Sequence, residues 1–343
     1  MGQLPVVFTI ADARRHGYSP WQITRLRRSG EWVALHRGTF CTRAMHSAAT
    51  ENPGLLHGLR AQARLRALDR AAWISHCSAA YLHGLVLPPK EPRKVSLTAE
   101  VGSARSSASL EIQLGAVPPS HRSRLAGLSV TSAARTVADL ARHLRPADAV
   151  AAGDSALRRG VTSREEILAV LDDCASWRGV IAARRSVERM DGRRETWLES
   201  ASMLLIVEHG LPEPTPQVWI AYGGDEPFAR VDFLWNPPGV IGEADGAVKY
   251  ATGDSAVLLA EKRRQERLEY LGFVVVRWDT QDVIRHPWHT AHRIQAALDR
   301  AWQARTAGVP LLATCIPTRN PAPAPAAAPA SSLGPIPIIT RRW

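Results

Sequence analysis

Apolar residues recur along the chain with several periods, and the sharpest change of period falls in Arg230–Tyr250, RVDFLWNPPGVIGEADGAVKY. Val231, Phe233 and Trp235 alternate with other residues, the period of a strand with one buried face. Asn236-Pro237-Pro238-Gly239 breaks the alternation; proline removes donors that a central strand needs, so the four residues read as a turn. Val240 to Asp245 is then a second strand, and the stretch a β-hairpin. Residues two apart on a strand share a face. Glu243 and Asp245 therefore project together, with Asp232 arriving from the neighbouring strand. Three carboxylates this close repel one another unless a cation sits between them, and an all-oxygen set suits Mg2+ or Mn2+. Acids near hairpin turns are commonly just solvated, so spacing alone does not choose.

Helical periods dominate elsewhere. Thr9 to Gly17 predicts a short helix. Ser19 caps a second, Pro20–Arg28, with Pro20 at its first position and Gln22 completing the capping box. Ile23 and Leu26 turn toward a core, leaving Arg25, Arg27, Arg28 and Trp21 as candidate DNA contacts. Ser29-Gly30 stops the helix, and Trp32 to Phe40, carrying Gly38, predicts a small β-wing with His36 and Arg37 near its tip. Helix, turn, helix, wing is a winged helix-turn-helix over residues 1–44.

Residues 45–190 read as an α/β connecting domain: helices over His57–Trp73 and Ile74–Gly84, short strands at Val95–Thr98, Leu110–Leu114 and Leu128–Val130, then helices after Thr131/Ser132 and Thr162/Ser163. Residues 191–304 give, in order, a helix (Glu195–His209), a strand (Gln217–Ala221), the hairpin, a charged helix (Ala256–Leu271), a buried strand (Phe273–Trp278) and a closing helix (His289–Ala304). That order predicts a mixed sheet flanked by helices. The Pro/Ala-rich stretch 314–343 reads as a disordered tail. The fold class is α+β, in several domains.

Charge adds a partner. The 343 residues carry a net charge of +11, with 43 Lys and Arg against 32 acids, which favours a polyanion, nucleic acid before membrane. Arg14 to Arg37 holds six arginines and one acid, Glu31. No apolar run reaches membrane-spanning length. The four cysteines form no C-x-x-C pair, which fits a reducing cytoplasm.

Among chemical constellations, Ser75, His76, Ser78 and His83 evoke a hydrolase, but no G-x-S-x-G elbow accompanies them. Arg135 and Asp139 read as an ordinary i, i+4 helix pair. Ala11 to Phe40, with A-D-A, G-Y-S, Q-I, R-L-R-R and W-x-x-L-x-R-G, resembles the N-terminal domain of AbiEi-type abortive-infection antitoxins, which implies a winged helix that binds operator or other double-stranded DNA. Asp232, then Glu243-Ala-Asp245-Gly246, a basic helix and Gly272-Phe-Val-Val-Val-Arg277-Trp278 resemble the very-short-patch-repair-like branch of the PD-(D/E)XK nucleases, covering Glu195 to Trp302. HCSAAYLHGL and VTSAARTVADLAR resemble a connecting domain that joins two such modules, a scaffold without catalytic role.

The nuclease resemblance implies a restriction-endonuclease-like fold and Mg2+-assisted phosphodiester hydrolysis. Asp232, Glu243 and Asp245 would be metal ligands, and Glu199 (with Glu195 as second choice) the helix acid. Lys262, Arg264 or Lys249 would stabilise the phosphate, with His209 and His289 as conceivable proton shuttles. Asp245 stands where the wider superfamily has its lysine, which leaves the base unassigned. Three functions follow: a DNA endonuclease of phage defence or repair; a transcriptional repressor or antitoxin, with a cognate toxin and an inactive nuclease-like domain; or a basic RNA-binding protein.

Overall fold

A computed structural model describes residues 4–68, 70–87, 94–125, 127–223, 226–246 and 255–318, with side chains from 259 onward in the last stretch. Lys249 and residues 319–343 lie outside the described residues. The chain is mixed α+β. By contacts the described residues divide into two units, one running from the N-terminus to His143 and including Val161–Arg184, the other formed by Leu144–Gly160 with residues 185–318. These limits differ from the three consecutive domains drawn from the sequence, because a helix from the connecting region packs with the C-terminal unit.

The N-terminus is winged-helix-like. Strand β1 (Phe8–Thr9) leads into α1 (Ile10–Arg15) and α2 (Pro20–Arg28), followed by β2 (Trp32–His36) and β3 (Thr39–Thr42) in a sheet ordered β1-β3-β2. Both helices begin with complete capping boxes, Thr9 with Asp12 and Ser19 with Gln22, so the N–H groups of the cap and of the third helical residue are satisfied reciprocally. Phe8, Ala13, Ile23, Trp32 and Phe40 form the core between helices and wing. Helices α3 (Arg43–Thr50) and α4 (Pro53–Arg66) follow. Arg66 donates to Asp12 at 2.9 Å, tying α4 to the base of α1.

Next comes a six-stranded sheet built from β4 (Ala72–Ile74), β5 (Val95–Ala99), β6 (Arg105–Ser106), β7 (Leu110–Leu114), β8 (Arg122–Leu125) and β9 (Leu128–Thr131), ordered β6-β7-β5-β4-β9-β8. Helix α5 (His76–Leu82) leaves the end of β4. Ile74, expected in a helix, thus belongs to a strand, paired with Leu97 and Val130. Ser75 and Ser78 do not cap α5. Their hydroxyls instead accept hydrogen bonds from Thr98 and from the Ser96 N–H, both at 2.8 Å. Helices α6 (Ala133–His143), α7 (Pro146–Arg158), α8 (Arg164–Asp173) and α9 (Val180–Glu188) follow. The Arg135–Asp139 pair of α6 is no ordinary surface pair: both side chains are buried, and Arg135 also donates to the Ala116 carbonyl.

In the second unit, α10 (Trp197–Glu208) precedes β10 (Thr215–Ala221), β11 (Ala229–Trp235) and β12 (Val240–Ala244). Then come α11 (Ser255–Tyr270), β13 (Val274–Trp278), α12 (Thr280–Arg285), α13 (Pro287–Thr306) and β14 (Thr314–Pro317). The sheet order is β13-β12-β11-β10-β14. The expected hairpin is there, its turn closed by the Gly239 N–H donating to Trp235 O at 2.8 Å. β12 and β13 are parallel, a pairing that needs a crossover, and α11 lies between them in the chain.

Apolar side chains pack on both faces, with Phe233, Trp235 and Trp278 in one core and Val231, Ile241 and Leu268 in another. α7 joins this unit through Asp154, which accepts from Arg194 at 2.6 and 3.0 Å and from Ser200 at 2.7 Å. The tail drawn from residue 314 begins too early: Thr314–Pro317 pairs antiparallel with Val218–Ala221. The open edge of β10 supplies the backbone partners that composition could not show.

Candidate functional site

The first candidate surface is built by α2 and the wing. Ile23 is buried, which turns Trp21, Arg25, Arg27 and Arg28 outward; Trp21 is 68 % exposed. No acid lies on α2. The Arg25 guanidinium sits 5.5 Å from the Trp21 ring centre and that of Arg27 5.1 Å from Phe40, so aromatic rings steer two of the three cations. A shallow groove between helix and sheet is lined by Thr24, Arg27, Arg28, Trp32, Ala34 and Phe40. Arg37 is exposed in the β2–β3 turn, beside Gly38 at φ +79°. His36 differs from its neighbour. Its Nε2 lies 3.2 Å from Arg64, and burial with the nearby Arg64 cation pushes its pKa down.

The second candidate site is a row of polar side chains running across the other unit's sheet. The register that pairs Phe233 with Gly242 sets Asp232 across from Glu243, and the pairing of Pro216 with Phe233 sets Gln217 across from Asp232. On the far side Glu243 pairs with Arg277. Gln217, Asp232, Glu243 and Arg277 thus stand side by side on four adjacent strands. Asp232 Oδ2 accepts the Ala244 N–H at 2.9 Å. Glu199, in the first turn of α10, meets the row at Gln217. Its carboxylate accepts from the Glu195 N–H, Thr196 Oγ1 and Gln217 Nε2, each at 2.9 Å. Glu195 instead pairs with Arg230 near the surface, at 3.0 Å.

Arginines neutralise the other end of the row. Arg264 of α11 places both terminal nitrogens 3.2 Å from Glu243, and Arg277 lies 3.0 Å from Asp245. Glu261 bridges the two arginines, at 2.8 and 2.5 Å. Asp245, Arg277, Glu261, Arg264 and Glu243 therefore form one chain of alternating charge. Lys262 points elsewhere; its side chain is 73 % exposed, 3.9 Å from Glu266.

Burial and the charge of Asp232 raise the Glu199 carboxyl to about 7. Glu243 rises to about 7 for the same two reasons, against the opposing pull of Arg264. Glu261, hydrogen-bonded by both arginines, is lowered to about 2.

The trio expected around one ion is therefore shared out. Among the described residues no three His, Cys, Asp or Glu side chains converge on one ligating point. Asp245 answers Arg277, while Asp232 and Glu243 remain neighbours. The structure adds Gln217, Glu261 and Arg277. Gln217 carries two unusual features: its backbone has φ +53°, and its Oε1 is buried without a hydrogen-bond donor. The end of the Gln217 amide that faces Glu199 and Asp232 is the nitrogen, at 2.9 and 3.4 Å. The strand–turn signal around Asp232 made the carboxylates findable in the sequence; nothing local marked Gln217.

The remaining constellations are structural. His57 Nε2 lies 2.8 Å from Ser78 Oγ, and His76 Nδ1 lies 2.9 Å from Ser75 Oγ, all within the core of the first unit. His83 Nε2 bonds the Thr131 carbonyl at 2.8 Å. His209 holds the Leu205 carbonyl and packs edge-on against Trp288, and His289 is exposed.

Residues 3–42 match the family described as "Transcriptional regulator, AbiEi antitoxin". This stretch coincides with α1, α2 and the wing. Two curated relatives, both uncharacterized proteins of Mycobacterium tuberculosis, from strains CDC 1551 / Oshkosh and ATCC 25618 / H37Rv, are each 36 % identical over 181 residues. The match spans 53 % of this chain and 66 % of each relative's length. No described helix is long and apolar enough to cross a membrane.

Proposed function

We propose that the chain is a DNA-binding transcriptional regulator of the antitoxin type, which inserts α2 into the major groove and rests the β2–β3 wing on the phosphates. The observation that carries this reading is the outward face of α2, where Arg25, Arg27 and Arg28 stand beside exposed Trp21 with no acid on the helix. The antitoxin-family match over the same residues supports it. A cognate toxin is the implied protein partner. The test is binding of the full chain to duplex DNA from upstream of its own coding sequence, set against unrelated duplex, over a series of salt concentrations. Preference for its own upstream DNA is expected; equal binding to both, or none, overturns the reading.

A second reading rests on the row across the sheet of the other unit. The helix, three strands, helix, strand order, with Asp232 and Glu243 on adjacent strands, supports a restriction-endonuclease-like phosphodiesterase. Asp232 and Glu243 would hold Mg2+ or Mn2+, which when bound supplies an activated water and neutralises charge on the phosphate. Arg264, already aimed at this end of the row, would hold the phosphate oxygens. Asp245 is a charge partner of Arg277 in this reading, and Lys262 takes no part. Plasmid nicking that requires Mg2+ and disappears in Asp232→Ala is the expected result. Nicking unchanged by that substitution overturns the reading.

A further inference from the structure

We propose that Arg43 is a positioning residue for DNA recognition, fixing the end of α2 against the base of the wing without itself touching DNA. Arg43 directly follows β3 and opens α3. Its guanidinium reaches back to the turn that leaves α2, where Nη2 donates to the Ser29 carbonyl at 2.9 Å and Nε to the Gly30 carbonyl at 3.0 Å. Its backbone N–H donates to the Glu31 carbonyl at 2.7 Å. One residue thus satisfies three consecutive carbonyls at and just past the helix end. The last carbonyls of a helix have no partner within it, and the macrodipole leaves that end negative, so a cationic donor there is favoured on both counts. The planar fork of arginine suits two carbonyls at once, a geometry that a lysine ammonium does not share.

Gly30 shows how closely the two segments meet. It adopts φ +72°, and a Cβ there would run into the Arg43 guanidinium. The same wing strand holds α2 one turn earlier, where Arg27 lies 5.1 Å from the Phe40 ring. Thr42, the residue before Arg43, pairs with Trp32 at the base of the wing. Arg25, Arg27 and Arg28 all stand on the last turn of α2. Where they fall in a groove depends on the angle at which this end of the helix meets the wing. Hydrogen bonds to base edges fail when the helix tilts, because their reach and direction are narrow, whereas long exposed arginines can follow a phosphate through a small tilt. Loss of Arg43 therefore erodes the reading of sequence more than the grip on the backbone.

This role rests on the DNA-binding reading above. Its test is the affinity of full-length Arg43→Met and Arg43→Lys for the chain's own upstream duplex and for an unrelated duplex, over the same salt series, with folding checked by thermal melting. Methionine keeps an apolar stem and removes every side-chain donor; lysine keeps the charge but not the fork. In Arg43→Met the upstream duplex is expected to bind about tenfold more weakly, the worth of one base contact, with the affinity for unrelated duplex and the salt slope unchanged. Arg43→Lys is expected to follow the same pattern to a smaller degree, and it decides the matter if the methionine variant does not fold. Three results overturn the proposal. A salt slope shallower by roughly 0.9 makes Arg43 a phosphate contact. An equal loss on both duplexes makes it a support of the fold alone. An undiminished preference for the upstream duplex in the deciding variant leaves it without a part in recognition. A wild type that prefers neither duplex removes the DNA-binding reading and this role with it, whereas a preference shared by wild type and variant removes the role alone.

Discussion

At the scale of single residues, charge burial separates what holds the molecule together from what acts. Asp154 and Arg194 are almost fully buried and hydrogen-bonded to each other, while Arg25 and Arg28 spend their charge on solvent. Removing one partner of a buried pair strands the other charge, at a cost of about 3–5 kcal/mol. Arg194→Ala should therefore lower the stability of the second unit by about that much, read as a shift of the urea midpoint. A double replacement, Asp154→Leu with Arg194→Met, should recover part of the loss, and additive losses would show that the pair itself is not the cause. On the exposed face the expectation is opposite in kind. Arg25→Ala with Arg28→Ala should leave the melting temperature unchanged. It should also flatten the slope of log affinity against log salt by about 1.8, roughly 0.9 for each lost phosphate contact. An unchanged slope would place both arginines away from the backbone of the DNA.

At the scale of elements, local chemistry in the sequence was a good guide wherever the determinant lay within a few residues. The Ser19–Gln22 capping box, Pro20 and Ser29-Gly30 bracket α2, and Asn236–Gly239 marks the hairpin turn, because caps and turns are satisfied by neighbours in the chain. The position of β14 was hidden, since Thr314–Pro317 becomes a strand only by borrowing the edge of β10, about a hundred residues away. The pairing of Asp245 with Arg277, and of both arginines with Glu261, was hidden for the same reason: three elements supply the charges. β12 offers a direct test of how tightly the site's strand is held. A Cβ on Gly242 would lie 2.5 Å from the Trp278 ring and 3.1 Å from that of Trp235. Gly242→Ala should cost about 1–3 kcal/mol through overpacking, and Trp278→Phe should relieve part of that cost. A neutral Gly242→Ala would mean that the two indoles do not clamp the strand.

At the scale of the whole molecule, the two units should answer acid differently, because the buried histidines with strongly lowered pKa values lie in the first. His57 is held at about 4 mainly by burial, with Arg60 adding to the effect. His76 is also held at about 4, chiefly by burial, with Asp139 and Glu111 pulling it up and His143 and Arg135 pushing it down. An unfolded histidine titrates near 6.5. Between 6.5 and about 4 the unfolded chain therefore binds more protons than the folded one, so stability rises with pH across that window. The stabilisation from keeping both rings neutral is complete above 6.5 and is lost progressively as the pH falls toward 4. Urea unfolding followed at pH 7.5, 6.0 and 5.0 should show the first unit's midpoint dropping steadily. His57→Gln keeps a side chain that can hydrogen-bond Ser78 but does not titrate, and it should flatten the part of the drop due to His57. DNA binding by α2 should fail at the acid pH where the first unit unfolds. The Mn2+ binding proposed for the other unit should follow its own pH course. A single transition with one midpoint, carrying both activities together at every pH, would show instead that the two units unfold as one.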